Sequence, residues 1–376
     1  MPARSFLSLI VLVVAVSTAM CSSDPSVVKM RAFEAGNAYV KDGKDREAIL
    51  EYRRAVRADG TFGEARLNLA GAYERTGDLQ NAFREYVRAA DLLPDRSDVQ
   101  IKAGQFLLVA GRFEDARARA EKVLEREPKN LDAQVLVGYS LAGMKNIDGA
   151  ISRLEQALID APKAGAAFSN LGTLQLANGD LERAEHAFRK AVELDPSATT
   201  AWIALGKFFW AQERFAEAEA SLVTARALDP GDVIAARALA ILYMSINRAA
   251  EAEPILKALA ASAKTPATGL MLADYYTATG RRDDAQTVLE GMSSDKTVAI
   301  EVKGRLAMIK HSQGLSAEAY STVDTLLKQY PDNASARLIK TQLLMRDRRF
   351  DEAVDESRRA LEFDPRSALG LRLLGE

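Results

Sequence analysis

A spacing of 34 residues constrains this chain more than any other feature. Residues 178–196 read NGDLERAEHAFRKAVELDP and residues 76–94 read TGDLQNAFREYVRAADLLP, with the same small, acidic, aromatic and proline punctuation in the same order. Equivalent frames start at residues 29, 63, 97, 131, 165, 199, 233, 266, 300 and 334, which are 34 apart except for one step of 33, so ten repeats cover 29–367. Position 20 of the frame is alanine in all ten, position 32 is proline in seven and position 15 is glycine in six. Small or apolar residues at positions 4, 7, 8 and 11, and again at 20, 24 and 27, keep the spacing of one helical face. In the fifth repeat these include Phe168, Leu171 and Gly172, then Ala184, Phe188 and Ala191. Each repeat is therefore expected to be helix, short turn, helix. The residue at 15 ends the first helix through positive φ, and proline at 32 stops the second. The small residues at 8 and 20 let two helices cross closely, so a larger side chain at Ala184 is expected to overpack the crossing at a cost of about 1–3 kcal/mol.

A chain of 376 residues is longer than one compact core supports, and a repeat array resolves that without separate domains. Its formal charge of −2 gives no electrostatic footprint for nucleic acid. One cysteine and two histidines cannot supply a Cys/His zinc site or a disulfide within the chain. No Ser/His or Cys/His set and no glycine-rich phosphate loop is present, so neither catalysis nor a cofactor is indicated. His186 falls on the outward side of a second helix and His311 on the inner side of a first helix.

The amino terminus differs from the rest. Arg4 precedes the uncharged run FLSLIVLVVAVSTAM at residues 6–20. Fifteen residues of helix span about 22 Å, short of a hydrocarbon core of about 30 Å, so the run reads as an export signal rather than a membrane span. Cys21 at its edge resembles the lipidated cysteine of a bacterial lipoprotein, with residues 1–20 as the signal and 21–28 as a polar tether; Met20 and Thr18 depart from that pattern. Ordinary cleavage after Ala19, or an uncleaved signal anchor, are the other readings, and all three export the chain.

The segments LGTLQLANGDLERAEHAFRKAVELDP (171–196) and LAGAYERTGDLQNA (69–82) resemble tetratricopeptide repeats, and the resemblance extends over all ten frames. It implies an all-α, right-handed superhelical solenoid in which stacked repeats bury each other's apolar stripes. Residues 368–376 match the start of an eleventh first helix, implying that the natural chain continues. Repeats seven and eight have Lys264 and Thr297 in place of the proline, so bending is expected near residues 260–270.

The resemblance also implies that positions 2, 5, 9, 12 and 13 of the first helices face a partner. Position 5 supplies Phe33, Leu67, Ile101, Val135, Ser169, Ile203, Arg237, Leu270, Gly304 and Leu338; position 9 supplies Asn37, Gln105, Tyr139, Thr173 and Lys207, with Ile241 in the same trough; position 12 supplies Leu108, Leu176, Trp210 and Met244 among its apolar members. Repeats three to seven would thus offer a mostly apolar trough to a polypeptide, with Trp210 as its strongest anchor. The other reading of position 5 is that the adjoining repeat covers it. A two-carboxylate clamp found in chaperone-binding members is incomplete: Asn37, Asn68 and Lys102 match it, but Phe33 and Asp98 replace its two lysines. The expected function is a non-enzymatic scaffold, exported to the periplasm or outer face of a bacterial cell and held to a membrane by a lipid on Cys21. In plan it resembles tetratricopeptide lipoproteins of pilus secretion, polysaccharide export and PEP-CTERM sorting. The alternative is the docking arm of an enzyme, such as a glycosyltransferase, with its catalytic part beyond residue 376.

Overall fold

The computed structural model describes residues 24–263 and 265–375. The signal run 1–20, Cys21 and Lys264 lie outside them. Among the described residues the chain is all α, a run of paired helices with one 3-10 turn and no strand. The first helices of the ten repeats are α1 (Pro25–Lys41), α3 (Gly63–Arg75), α5 (Ser97–Val109), α7 (Leu131–Gly143), α9 (Gly165–Ala177), α11 (Thr199–Ala211), α13 (Val233–Ser245), α15 (Pro266–Ala278), α17 (Ala299–Ser312) and α19 (Ala334–Arg346). The second helices are α2 (Asp45–Ala58), α4 (Leu79–Leu92), α6 (Phe113–Arg126), α8 (Ile147–Asp160), α10 (Leu181–Leu194), α12 (Phe215–Leu228), α14 (Ala249–Ala263), α16 (Arg282–Gly291), α18 (Ser316–Gln329) and α20 (Phe350–Phe363), followed by α21 (Ala368–Gly375). Two compact units, divided between Ala187 and Phe188 inside α10, are each a solenoid of such pairs.

Residues 25–28 are not a tether. Asp24 caps α1, its carboxylate accepting from the Ser26 backbone N–H at 2.8 Å, and Pro25 occupies the first helical position where its missing N–H costs nothing.

The turn between paired helices is the same object ten times. The residue at position 15 has positive φ whether it is glycine, as at Gly77 (81°) and Gly179 (82°), or Lys145 (65°), Glu213 (57°), Asn247 (61°) or Arg348 (58°). In each turn its N–H reaches back to the carbonyl three residues earlier, and the next N–H reaches the carbonyl five earlier. In the fourth repeat these are Lys145 to Ala142 and Asn146 to Leu141, both 2.9 Å. This closure satisfies carbonyls that the end of a helix leaves open. The residue at position 16 then starts the second helix: Asp78 and Asn146 cap with their side chains, at 3.1 and 3.0 Å. Where arginine stands there, as at Arg214, the guanidinium instead grips the acid three residues on, Glu217, at 2.5 Å.

The position-20 alanines, from Ala48 to Ala353, are all 0% exposed, which is what a crossing of two backbones without room for a side chain requires. Position 8 serves the same purpose: a Cβ on Gly206 would lie 2.8 Å from Leu222 Cγ and 3.3 Å from the Ala218 carbonyl oxygen. The rows of large buried side chains, Tyr52, Leu107, Leu154, Phe208, Leu222 and Leu343 among them, run along these crossings. In the first of the two units α6 packs on both α5 and α7, and in the second α12 packs on both α11 and α13. Neither stripe of a pair could be buried alone, which is the energetic reason that the repeats stack. α21 continues this pattern, with Leu373 buried against Leu338 and Ala360 and the Ser357 hydroxyl donating to the Gly370 carbonyl at 2.9 Å.

The eighth repeat departs from the frame. α16 ends at Gly291 after 10 residues where α18 and α20 run for 14, and the 3-10 turn Lys296–Val298, capped by Asp295 onto the Thr297 N–H at 2.8 Å, leads into α17.

Candidate partner-binding face

The first-helix face differs in character between the two compact units. In the first, most of the residues expected to meet a partner are engaged by the protein itself. Phe33 sits between the rings of Phe62 and Tyr52, with centroids at 5.0 and 6.0 Å. Asn37 Oδ1 accepts from the Tyr52 hydroxyl at 2.7 Å and from Asn68 Nδ2 at 2.8 Å, which ties the two asparagines to each other. Leu67 and Leu108 are half-buried against the core, and Ile101 is 8% exposed and belongs to it. Tyr139 packs on the cluster around Leu154 and Leu171, and its hydroxyl donates to Asn170 Oδ1 at 3.0 Å; burial pushes its pKa up. Gln105 is exposed, while Val135 and Leu176 are half-buried.

The remnant of the clamp is closed as well. Lys102 Nζ pairs with Glu74 Oε1 at 2.7 Å, and Asp98 is gripped by Arg96 at 2.7 and 2.8 Å, a pairing that holds the Asp98 carboxyl below the usual carboxylate range. Lys102 is thus already paired with a carboxylate of this chain, and Asn68 Nδ2 with Asn37.

In the second unit, Ile203 also proves to be core, 5% exposed with Ala225 and Ala235 over it. The trough as expected from repeats three to seven is therefore corrected at Ile101 and Ile203: the adjoining repeat covers position 5 there, and a buried side chain offers no surface. Lys207 is exposed and Trp210 half-buried. Ile241, 41% exposed, and the half-buried Met244 do open onto a cleft, of about 530 Å³, whose walls include Arg237, Leu270, Met271 and Tyr275. A neighbouring cleft of about 580 Å³ is lined by Ile300, Met308, Leu338, Ile339 and Leu369, with Glu301, Gln342 and Arg346 among its polar members.

Asp274 and Arg305 line both clefts and form their common wall. Arg305 Nε meets Asp274 Oδ1 at 2.7 Å and its Nη2 meets Oδ2 at 2.9 Å, the two-pronged geometry in which guanidinium and carboxylate bind most specifically. That pairing raises the Arg305 pKa. The second cleft exists partly because Gly304 carries no side chain: a Cβ there would stand 2.3 Å from Ile339 Cδ1. Sequence reasoning singled out Arg237, Leu270, Gly304 and Leu338 at position 5 and used position 6 only for the clamp, at Asn68 and Lys102, leaving out Met271, Arg305 and Ile339 at the same position of later repeats. Helical spacing puts position 6 beside 2 and 9 on the same face, a signal that was present in the frame.

Of the two histidines, His186 is exposed on α10, and His311 on α17 contacts Asp347 Oδ1 through Nε2 at 2.8 Å. The other oxygen of Asp347 accepts from the Tyr320 hydroxyl at 2.8 Å, and the two contacts keep its carboxyl below the ordinary range. His311 thus has a partner that its sequence position did not disclose. Among the described residues no group of three or more His, Cys, Asp and Glu side chains is placed to hold a metal ion, and no helix is long and apolar enough to cross a membrane.

Family models described as tetratricopeptide repeat match residues 33–97, 138–199, 169–232 and 306–368, with further matches of the same description at 75–138, 209–267 and 266–290. A curated but uncharacterized protein from Haemophilus influenzae is 30% identical over 91 residues, 24% of this chain and 51% of its own length, so the chain spans about half the length of that relative. Among solved structures, a tetratricopeptide repeat protein from Parabacteroides merdae is 16% identical, covering 65% of this chain and 97% of its own, with a TM-score of 0.47. MamA from Desulfovibrio magneticus is 20% identical over 46% of this chain and 97% of its own, with a TM-score of 0.40.

Proposed function

The chain belongs to the tetratricopeptide repeat family, a scaffold for protein interaction, and on that premise we propose that it holds a partner polypeptide in the two clefts divided by Asp274 and Arg305 and performs no chemistry of its own. The observation that carries this reading is an apolar floor left open on the first-helix face of the second unit. Exposed Ile241 and half-buried Met244, Met271 and Met308 lie there with polar groups at the rim, the composition of an interface core rather than of a solvated surface. Methionine in particular adapts to the shape of what it meets.

The test is affinity capture from the source cell with mass spectrometry of what is retained. Ile241→Glu combined with Met308→Glu is expected to keep the helical circular dichroism of the parent and to lose a polypeptide that the parent retains, by at least about tenfold, since a buried charge at an apolar contact costs well over 1.4 kcal/mol. Equal retention by parent and variant would move the partner site elsewhere. Tyr139, tied to Asn170 and the core, is unsuited to such a test because its loss would injure the fold itself.

The amino terminus bears on the setting of the scaffold. An apolar run at 6–20 ending at Cys21 supports export and a lipid anchor on the cysteine, a setting that would suit a scaffold of a cell-envelope, secretion or polysaccharide-export assembly. Cys21→Ala is expected to abolish incorporation of labelled fatty acid and to release the chain from membranes. Undiminished labelling would refute the anchor.

A further inference from the structure

The second-helix side of the first two repeats gathers positive charge in a way that the scaffold role does not use. Arg53 and Arg57 on α2, Arg66 on α3, and Arg84 and Arg88 on α4 line a hollow of about 350 Å³, with Glu85 the one carboxylate in its wall. Five guanidiniums against one carboxylate leave a local charge of +4 in a chain whose formal total is −2. The carboxylate is already spent: Glu85 Oε2 takes Arg66 Nη1 at 2.6 Å, with both side chains 12% exposed, and Oε1 lies 3.6 Å from Arg88 Nη1. Arg84 donates to the neutral amide oxygen of Asn81. Among the described residues Arg53 and Arg57 have no hydrogen-bond or ion-pair partner. Of the nearby acids, Asp78 accepts from Asn81 Nδ2 at 2.5 Å and Glu51 faces Arg54 at 3.9 Å, and neither carboxylate lines the hollow.

The spacing is informative. Arg53 and Arg57 stand four residues apart on α2, as Arg84 and Arg88 do on α4, so each helix presents two guanidiniums from one face to the same concavity. Like charges at that spacing repel, and a surface selected only for solubility intersperses the two signs. The guanidinium fork matches the oxygens of a phosphate group two at a time and stays charged at every physiological pH. A half-buried ring, Tyr73, forms part of the same wall and supplies apolar backing that strengthens such contacts by excluding water. We infer that this hollow binds a phosphate-bearing anion, either a soluble polyphosphate compound or the phosphate of an anionic lipid headgroup.

The probe is inorganic tripolyphosphate, titrated calorimetrically into the full chain at low salt. Saturable binding of one equivalent is expected, weakened about tenfold or more in Arg53→Gln/Arg57→Gln, since each charge-assisted hydrogen bond to an anion contributes enough for such a change. Arg46→Gln/Arg54→Gln removes the same charge from α2 outside the hollow and should leave affinity within about twofold, because these contacts are screened. No binding by the parent, or equal weakening in both double variants, overturns the site. Helical circular dichroism matching that of the parent is the check that these exposed substitutions leave the fold intact. The source is then read from vesicles of phosphatidylglycerol and of phosphatidylcholine. Whatever the amino terminus contributes is common to parent and variant, so a preference for phosphatidylglycerol that Arg53→Gln/Arg57→Gln abolishes assigns the hollow to lipid headgroups. Tripolyphosphate binding without that preference assigns it to a soluble phosphate compound.

Discussion

Phe208→Ala is expected to destabilise the second compact unit by about 3–5 kcal/mol, the largest single-residue effect foreseen here. The Phe208 ring is 2% exposed and stands between Phe188 and Phe209, with centroid separations of 5.5 and 5.6 Å. Truncation removes the transfer free energy of the ring, the aromatic contacts worth about 0.5–1.5 kcal/mol beyond area, and the atoms that would otherwise fill the space. Because a repeat array is held by neighbour-to-neighbour contacts, the loss should be felt first in α11 and α12 rather than as one global transition. Amide hydrogen exchange resolved by segment is the measurement. Protection within residues 199–228 should fall by two orders of magnitude or more, about 1.4 kcal/mol per factor of ten, while α1 and α2 keep theirs. Unchanged exchange across 199–228 would show that the ring is not part of the packing that holds these helices.

The second large effect has the opposite sign. The triple variant Lys145→Gly/Glu213→Gly/Arg348→Gly is expected to be more stable than the parent by about 1.5–3 kcal/mol in total. These three residues hold the left-handed conformation, at φ of 65°, 57° and 58°, that six glycines hold in the equivalent turns. A side chain there costs about 1–2 kcal/mol, and glycine returns part of the gain, about 0.5–1 kcal/mol, through the larger entropy of its unfolded chain. Sterics do not confuse the comparison. At Gly43, Gly77, Gly111, Gly179, Gly280 and Gly314 an added Cβ would meet nothing within 4 Å, so the backbone alone decides. The reverse change, Gly179→Ala, should therefore cost about 1 kcal/mol, and Asn247→Gly should gain least because asparagine tolerates this region better than other residues. Denaturation midpoints of the variants check the series; a triple variant no more stable than the parent would mean that the turns are relaxed whatever residue fills them.

These two effects also mark what could and could not be read from the letters. The frame was legible because its punctuation answers to local rules. A backbone crossing admits only a small residue, so alanine recurs at 20, and a chain reversal requires positive φ, so glycine recurs at 15. Even the turns without glycine were locatable, since Lys145, Glu213 and Arg348 stand at the same position of the same period. The occupied face was less legible. Whether a position-5 side chain is open depends on what the next repeat lays over it: Ala225 and Ala235 close over Ile203, whereas Leu270 remains in the wall of a cleft. That is decided by side chains about 30 residues away in sequence, and a one-repeat template cannot see it. The second cleft depends on Gly304 and Ile339 meeting across α17 and α19, and position 6 entered the reading only for the clamp of the first three repeats, not for this face. The early end of α16 was equally hidden, since residues 282–291 read as the start of an ordinary second helix.

The identical closure of ten turns has a consequence for how such a molecule can vary. Excision of residues 97–130 would remove α5 and α6 and leave like joined to like, whereas loss of half that length would set a first helix where a second belongs and turn its alanine socket toward water. Length here is countable rather than continuous. Copies enter or leave whole, and what each one displays on its open side is at liberty to diverge while the joints stay the same.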